Sequence, residues 1–164
     1  MSDNDFRVWI GDLAGYNAGR LRGAWFDLED CVDLDDLEAL AETVLLPGNE
    51  ETYVGDTEGL PLSPKTLDDV WTAYELVEEH SLVAVTAVAT VLGESYVLAN
   101  PELMEDAYRG VIEPGDTVYE YLADSVPETI RPYVDWASLE ECEWPHLVYV
   151  RIDGEMHCVN GEAS

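Results

Sequence analysis

Lysine occurs once in this 164-residue chain, at position 65, and arginine six times, against thirty-six aspartates and glutamates. A surface so poor in cations cannot neutralise a run of phosphates, which excludes direct binding to nucleic acid and to anionic membranes. Cysteine is scarce too. Cys31, Cys142 and Cys158 are odd in number and share no short paired spacing, so a disulfide framework is excluded and a reduced, cytoplasmic compartment fits. Long apolar runs are missing: the longest, Leu82 to Leu92, is too short to cross a bilayer. Residues 1–5, Met-Ser-Asp-Asn-Asp, hold neither a basic region nor an apolar stretch, so no secretory signal is expected. No glycine-rich elbow flanks a serine, no phosphate-binding loop is present, and the three histidines have no recognisable catalytic partners.

What is present is a folded protein with an extreme charge. The apolar fraction of 47%, with five Trp and nine Tyr, argues against disorder, while the formal net charge is −29. The first 26 residues are neutral, and residues 27–58 alone carry twelve carboxylates and no Lys or Arg. Leu34, Leu37, Leu40, Ala41, Val44 and Leu45 recur at helical spacing inside that acidic stretch. The charge therefore coats something folded. A cationic groove on another protein is its natural partner.

Taken in order, Phe6, Val8 and Ile10 alternate as a first strand, and the glycine-rich segment Gly11 to Gly23 reads as a long excursion. Arg20 and Arg22 within it are expected to anchor the chain's own carboxylates. Ala24 to Leu28 reads as a second strand. A helix capped by Asp33 or Asp35 follows, ended by Pro47-Gly48, and Thr52 to Asp56 reads as a third strand. The Gly59-to-Pro64 linker marks a boundary. Thr66 and Asp69 open a helix to about His80, and Leu82 to Leu92 is read as a buried helix. Asn100 and Pro101 open another, to about Arg109, closed by Gly110. A helix starting at Asp116 or Thr117 and a short one near Trp136 to Glu141 come next. Asp153-Gly154 between two alternating runs, Leu147 to Ile152 and Glu155 to Val159, is a type I′ hairpin signal. The sum is an α+β fold, with short antiparallel sheets at both ends of the chain and a helical middle.

Neither of two metal readings survives inspection. Asp33, Asp35 and Asp36 lack the glycine of a calcium loop, with Glu38 in its place. Of a Cys142, His146, His157 and Cys158 set, the last two are neighbours on a strand and face opposite sides. With so many acids, no carboxylate pair singles itself out for acid–base work. No catalytic residue, cofactor or metal is expected. The surface itself is the remaining feature. Duplex DNA carries one charge per roughly 1.7 Å, so a charge of this size matches about 50 Å, or some fifteen base pairs. Helical residues three or four apart lie about 5–6 Å from each other, close to phosphate spacing. Asp68, Glu75 and Glu79, or Glu113, Asp116, Glu120 and Asp124, could thus imitate a phosphate row.

The run from Leu13 to Asp27, Leu-Ala-Gly-Tyr-Asn-Ala-Gly-Arg-Leu-Arg-Gly-Ala-Trp-Phe-Asp, resembles the N-terminal signature of the ArdA antirestriction proteins. Residues 53–59, Tyr-Val-Gly-Asp-Thr-Glu-Gly, are similar to their acidic third strand, Tyr74 to His80 to a central acidic helix, and Ala107 to Gly110 to a later aromatic-glycine element. Tyr121 to Ile130, continuing through Tyr133 to Trp136, resembles the antirestriction-motif region. Leu60 to Pro64 and the segment Glu143-Trp144-Pro145-His146 depart from the pattern.

The resemblance implies a DNA mimic of mobile elements and phages that occupies the DNA path of type I restriction–modification enzymes in the host bacterial cytoplasm. It implies an elongated chain of three subdomains, residues 1–60, 61–100 and 101–164, dimerised through the last. The partner-facing carboxylates expected are Asp27, Glu29, Asp30, Asp33, Asp35, Asp36, Glu38 and Glu42 in the first part. Asp68, Asp69, Glu75, Glu78 and Glu79 follow in the second, and Glu102, Glu105, Asp106, Glu113, Asp116, Glu120 and Asp124 in the third. Leu122, Val126, Pro127, Ile130 and Tyr133 are the expected homodimer contacts. Two other readings compete: a salt-adapted binding module whose acidity maintains solubility, and an enzyme hidden among the carboxylates, which would show a strongly perturbed titration in a cleft.

Overall fold

The computed structural model describes residues 6–163, so the expectation for the first five residues lies outside them. The chain divides into two compact units, residues 1–82 and 83–164, a boundary that falls inside the 61–100 segment set apart from the sequence. Eight α-helices and two three-stranded antiparallel sheets occur among the described residues, one sheet early in the chain and one late, with helices between. The fold class is α+β, as expected.

In the first unit β1 (Arg7–Asp12) is central, flanked by β2 (Gly23–Asp27) and β3 (Thr52–Glu58). Phe6, Val8 and Ile10 turn inward and are buried with Leu28, Leu37 and Ala41, as the period of two requires. The opposite face is built around Trp9. A Cβ added to Gly11, Gly23 or Gly55 would stand 2.7, 2.5 or 2.5 Å from the benzo ring of that indole. The ring thus lies against bare backbone from all three strands, and Tyr53 meets it edge-on at 5.7 Å. Gly55 has no partner on β1, where the register shifts between Trp9 and Ile10.

The excursion after β1 is not irregular throughout, because α1 (Leu13–Asn17) forms at its start. Asp12 caps it, a role the sequence reading overlooked. Arg22 also corrects an expectation: its Nε donates to the Val44 carbonyl at 2.6 Å, not to a carboxylate. Helix α2 (Leu34–Glu42) starts where Asp33 accepts from the Asp36 N–H at 3.0 Å, and ends five residues before Pro47. Helix α3 (Leu67–Glu79) opens on Thr66, whose hydroxyl accepts from the Asp69 N–H, and buries Val70, Trp71, Ala73, Leu76 and Val77.

The second unit begins one residue into α4 (Leu82–Leu92), whose Val and Thr residues would suit a strand. Its alanines and burial of Ala84, Val85, Ala87, Val88 and Ala89 hold it helical, and Thr90 returns its hydroxyl proton to the Thr86 carbonyl. α5 (Glu94–Ala99) and α6 (Met104–Ala107) follow, the latter preceded by a 3-10 turn. The helix expected to reach Arg109 stops at Ala107. Tyr108–Val111 forms β4 and pairs with β6, with Gly110 at φ +100° beside a bulge. Tertiary pairing wins here, fixed by the Tyr108 hydroxyl 2.8 Å from His157 Nδ1. α7 (Asp116–Leu122) and α8 (Trp136–Glu143) precede the hairpin β5 (Leu147–Ile152) and β6 (Glu155–Asn160). Asp153 and Gly154 both adopt positive φ, as a type I′ turn demands. The sheet order is β4-β6-β5.

Candidate partner-binding surface

Thirty-four of the carboxylates lie among the described residues, and thirty-one of them are exposed. Of the twenty acids expected to face a partner, nineteen are exposed and Asp69 is half-buried. Asp27 closes β2, Glu29 and Asp30 sit in the 3-10 turn that follows, and Asp33, Asp35, Asp36, Glu38 and Glu42 lie on or cap α2. Asp68, Asp69, Glu75, Glu78 and Glu79 line α3. In the second unit Glu102, Glu105 and Asp106 surround α6, while Asp116 and Glu120 belong to α7. The row expected from Glu113 to Asp124 is not carried by one helix: Glu113 precedes α7, and Asp124 falls in the 3-10 turn of Ala123–Ser125.

Ion pairs to those charges are few among the described residues. Ion pairs among the described residues include Arg7–Glu58, Glu128–Arg131 at 4.0 Å and Glu79–His80 at 3.9 Å, and of the twenty acids Glu79 is the one that takes part in these. The arrangement also works against the helices. Glu38 and Glu42, and Glu75 with Glu78 and Glu79, stand three or four residues apart as like charges, each pair costing about 0.2–0.5 kcal/mol. No basic residue occupies the last turn of α2 or α3, where the helix dipole favours one. Helix stability alone would not select these residues.

Two carboxylates behave differently. Asp12 is fully buried and accepts from the Gly15 N–H at 3.1 Å, the Leu46 N–H at 2.9 Å and the Asn49 amide at 2.8 Å. The Asn49 side chain, then the Leu46 N–H, hold its carboxyl below the usual aspartate range. Glu140, on α8, is 1% exposed and accepts from the Val118 N–H of α7 and from the Tyr149 hydroxyl of β5. Burial, then the bond to Glu140, pushes the Tyr149 phenol well up. Asp12 could have been found from its position three residues before Gly15, a capping spacing. Nothing local marks Glu140.

The calcium-like acids open a helix, and no group of three or more His, Cys, Asp or Glu is placed to hold a metal among the described residues. Nor is any helix among them long and apolar enough to cross a membrane. Among the expected dimer residues, Tyr133 is 87% and Ile130 49% exposed, Pro127 is exposed, and Leu122 and Val126 are half-buried.

An acid-coated α+β chain with this N-terminal sheet has a counterpart among known families: residues 8–141 match the family described as antirestriction protein (ArdA). The chain belongs to the ArdA antirestriction family. Comparison with curated proteins gave no match. The match covers β1 through most of α8, and so takes in both units and every one of the twenty carboxylates. Antirestriction is the function that ArdA membership implies, with a restriction enzyme as the partner it suggests.

Proposed function

We propose that the chain inhibits type I restriction–modification enzymes as a DNA mimic, filling the cationic DNA groove of the methyltransferase core with its own carboxylates. The observation that carries this reading is the exposed acidic surface, which holds nineteen of the twenty candidate acids. A groove lined with Lys and Arg supplies cations to them, and the chain gains the electrostatic attraction otherwise given to phosphates. The work is binding, with no cofactor. It takes place in the bacterial cytoplasm, and many weak contacts share it across three functional segments, residues 1–60, 61–100 and 101–164, in a homodimer. Exposed Ile130 and Tyr133, with Pro127, Leu122 and Val126, form the apolar contact between copies.

The test is equilibrium binding to a purified type I methyltransferase core, with and without competing duplex DNA, over a salt series beginning near 0.15 M, about physiological strength. DNA-competitive binding that weakens as salt rises is expected, from a chain already folded at the lowest salt. A chain that folds only near molar salt and shows no binding would instead establish the salt-adapted module.

A further inference from the structure

Residues 13–25 hold two arginines and no aspartate or glutamate, an exception in so acidic a chain. They run from α1 through the loop into β2, where the Arg22 carbonyl accepts from the Asp12 N–H at 2.9 Å. Much of the segment serves the fold. Gly15 lies against the Asp12 cap, Gly19 takes positive φ, Gly23 leaves room for Trp9, and Arg22 bonds the Val44 carbonyl. Burial does not account for Tyr16, Leu21 and Trp25, which are 57%, 77% and 39% exposed.

These three gather on the outer face of the first sheet. Trp25 stands opposite Trp9 in the β1–β2 register, and directly opposed residues share a face. Leu21 precedes Gly23 and Trp25 at the strand period. Tyr16 leans on Tyr53 with ring centroids 5.4 Å apart, and Tyr53 in turn meets Trp9. The acids of this face, Asp27, Asp56 and Glu58, stand in the rows of Arg7 and Trp9. The row of Gly11, which pairs with Gly23 and Tyr53 beside the loop, has none. Exposed Arg20 and Arg22 border the aromatic patch there.

We propose that this patch docks on an apolar, carboxylate-bearing surface of the methyltransferase core, beside its DNA groove. The inference rests on the reading of the chain as an inhibitor of that enzyme and adds a contact that imitation of phosphates does not supply. A groove lined with Lys and Arg repels Arg20 and Arg22, and gives Leu21 nothing apolar to meet. Exposed aromatics beside arginine are the residue types that anchor protein interfaces. A second copy suits the patch less well, because each copy carries −29 and the two arginines offset little of that repulsion. Being largely apolar, the contact persists at salt concentrations that screen the acidic one.

Two substitutions in the full chain test it, each at an exposed position. Arg20→Glu makes the chain more acidic. Facing a cationic groove, it would tighten binding to the purified core; docked as proposed, it should weaken binding about threefold. Leu21→Ser leaves the charge unchanged and should weaken binding about fivefold, by the same factor at about 0.15 and 0.5 M salt. Tighter binding by Arg20→Glu, or unchanged affinity of Leu21→Ser, overturns the docking surface and leaves distributed mimicry standing. A change in mass by light scattering in either variant assigns the patch to a contact between copies and overturns the proposed occupant. Amide hydrogen exchange of the unaltered chain, free and bound to the core, gives a reading independent of how the variants fold. Slower exchange over residues 20–25 in the complex is expected, and its absence overturns the contact. If the unaltered chain does not bind the core at all, mimicry falls and this contact falls with it.

Discussion

Asp12 shows how one buried carboxylate can matter more to folding than the exposed ones around it. Its three donors come from α1, from Leu46 beyond α2 and from Asn49, so one side chain ties together the connections on both sides of β1. Because the folded carboxyl sits below its ordinary value, its contribution is complete above the unfolded aspartate range near pH 4 and disappears as pH falls through the folded value. Asp12→Asn should therefore lower the unfolding temperature by several degrees at pH 7, and the gap from the parent should narrow as pH drops below about 4. A gap independent of pH, followed by circular dichroism, would assign the loss to geometry and not to charge. Glu140 is as deeply buried, and its two partners, the Val118 N–H and the Tyr149 hydroxyl, join α8 to α7 and β5.

At the scale of elements, the proposed partner binding would set the acidic ends of α2 and α3 against helix stability. Glu42 is exposed in the last turn of α2, four residues after Glu38, where a cation would favour both the dipole and its neighbour. Glu42→Lys should stabilise the fold by roughly 0.3–1 kcal/mol in thermal unfolding. The same change should weaken enzyme binding less than about threefold, in line with a charge shared among many contacts. A fall in stability would show that Glu42 makes a structural contact the helix requires. The elements themselves were largely legible in the sequence. Asp33, Thr66 and Asp153-Gly154 announce a cap, a cap and a turn through local chemistry, and the structure places all three as read. Tyr108 to Val111 was illegible for the converse reason: its strand state is decided by β6, almost fifty residues later, and a local scan sees only a helix running into Gly110. The carboxylates were legible as a surface because solvation is their default state. Glu140 was not, because burial of a carboxyl depends on donors brought from α7 and β5.

For the whole molecule, the charge proposed to attract a cationic groove must also oppose association of two copies. Each copy carries −29, so dimerisation works against repulsion that salt relieves. The two proposed associations should respond to salt in opposite directions. Raising NaCl from about 0.05 to 0.3 M should tighten the dimer while weakening binding to the enzyme, as screening acts on repulsion and attraction alike. Tyr133→Asp should yield a monomer by light scattering, since it places a charge on the most exposed aromatic of the region. A dimer that survives this change would move the contact away from Ile130 and Tyr133.

The packing of Trp9 carries a consequence for how this chain can vary. Its indole occupies the space that side chains on Gly11, Gly23 and Gly55 would need, one on each strand of the first sheet. No one of the three can accept even a methyl group while the tryptophan stays in place, and a smaller residue at position 9 would uncover backbone on all three strands together. Four positions spread over nearly fifty residues of sequence are thereby bound into one hereditary choice. Descendants of this chain can drift freely in the acids around the sheet, but must keep these four together or replace them together.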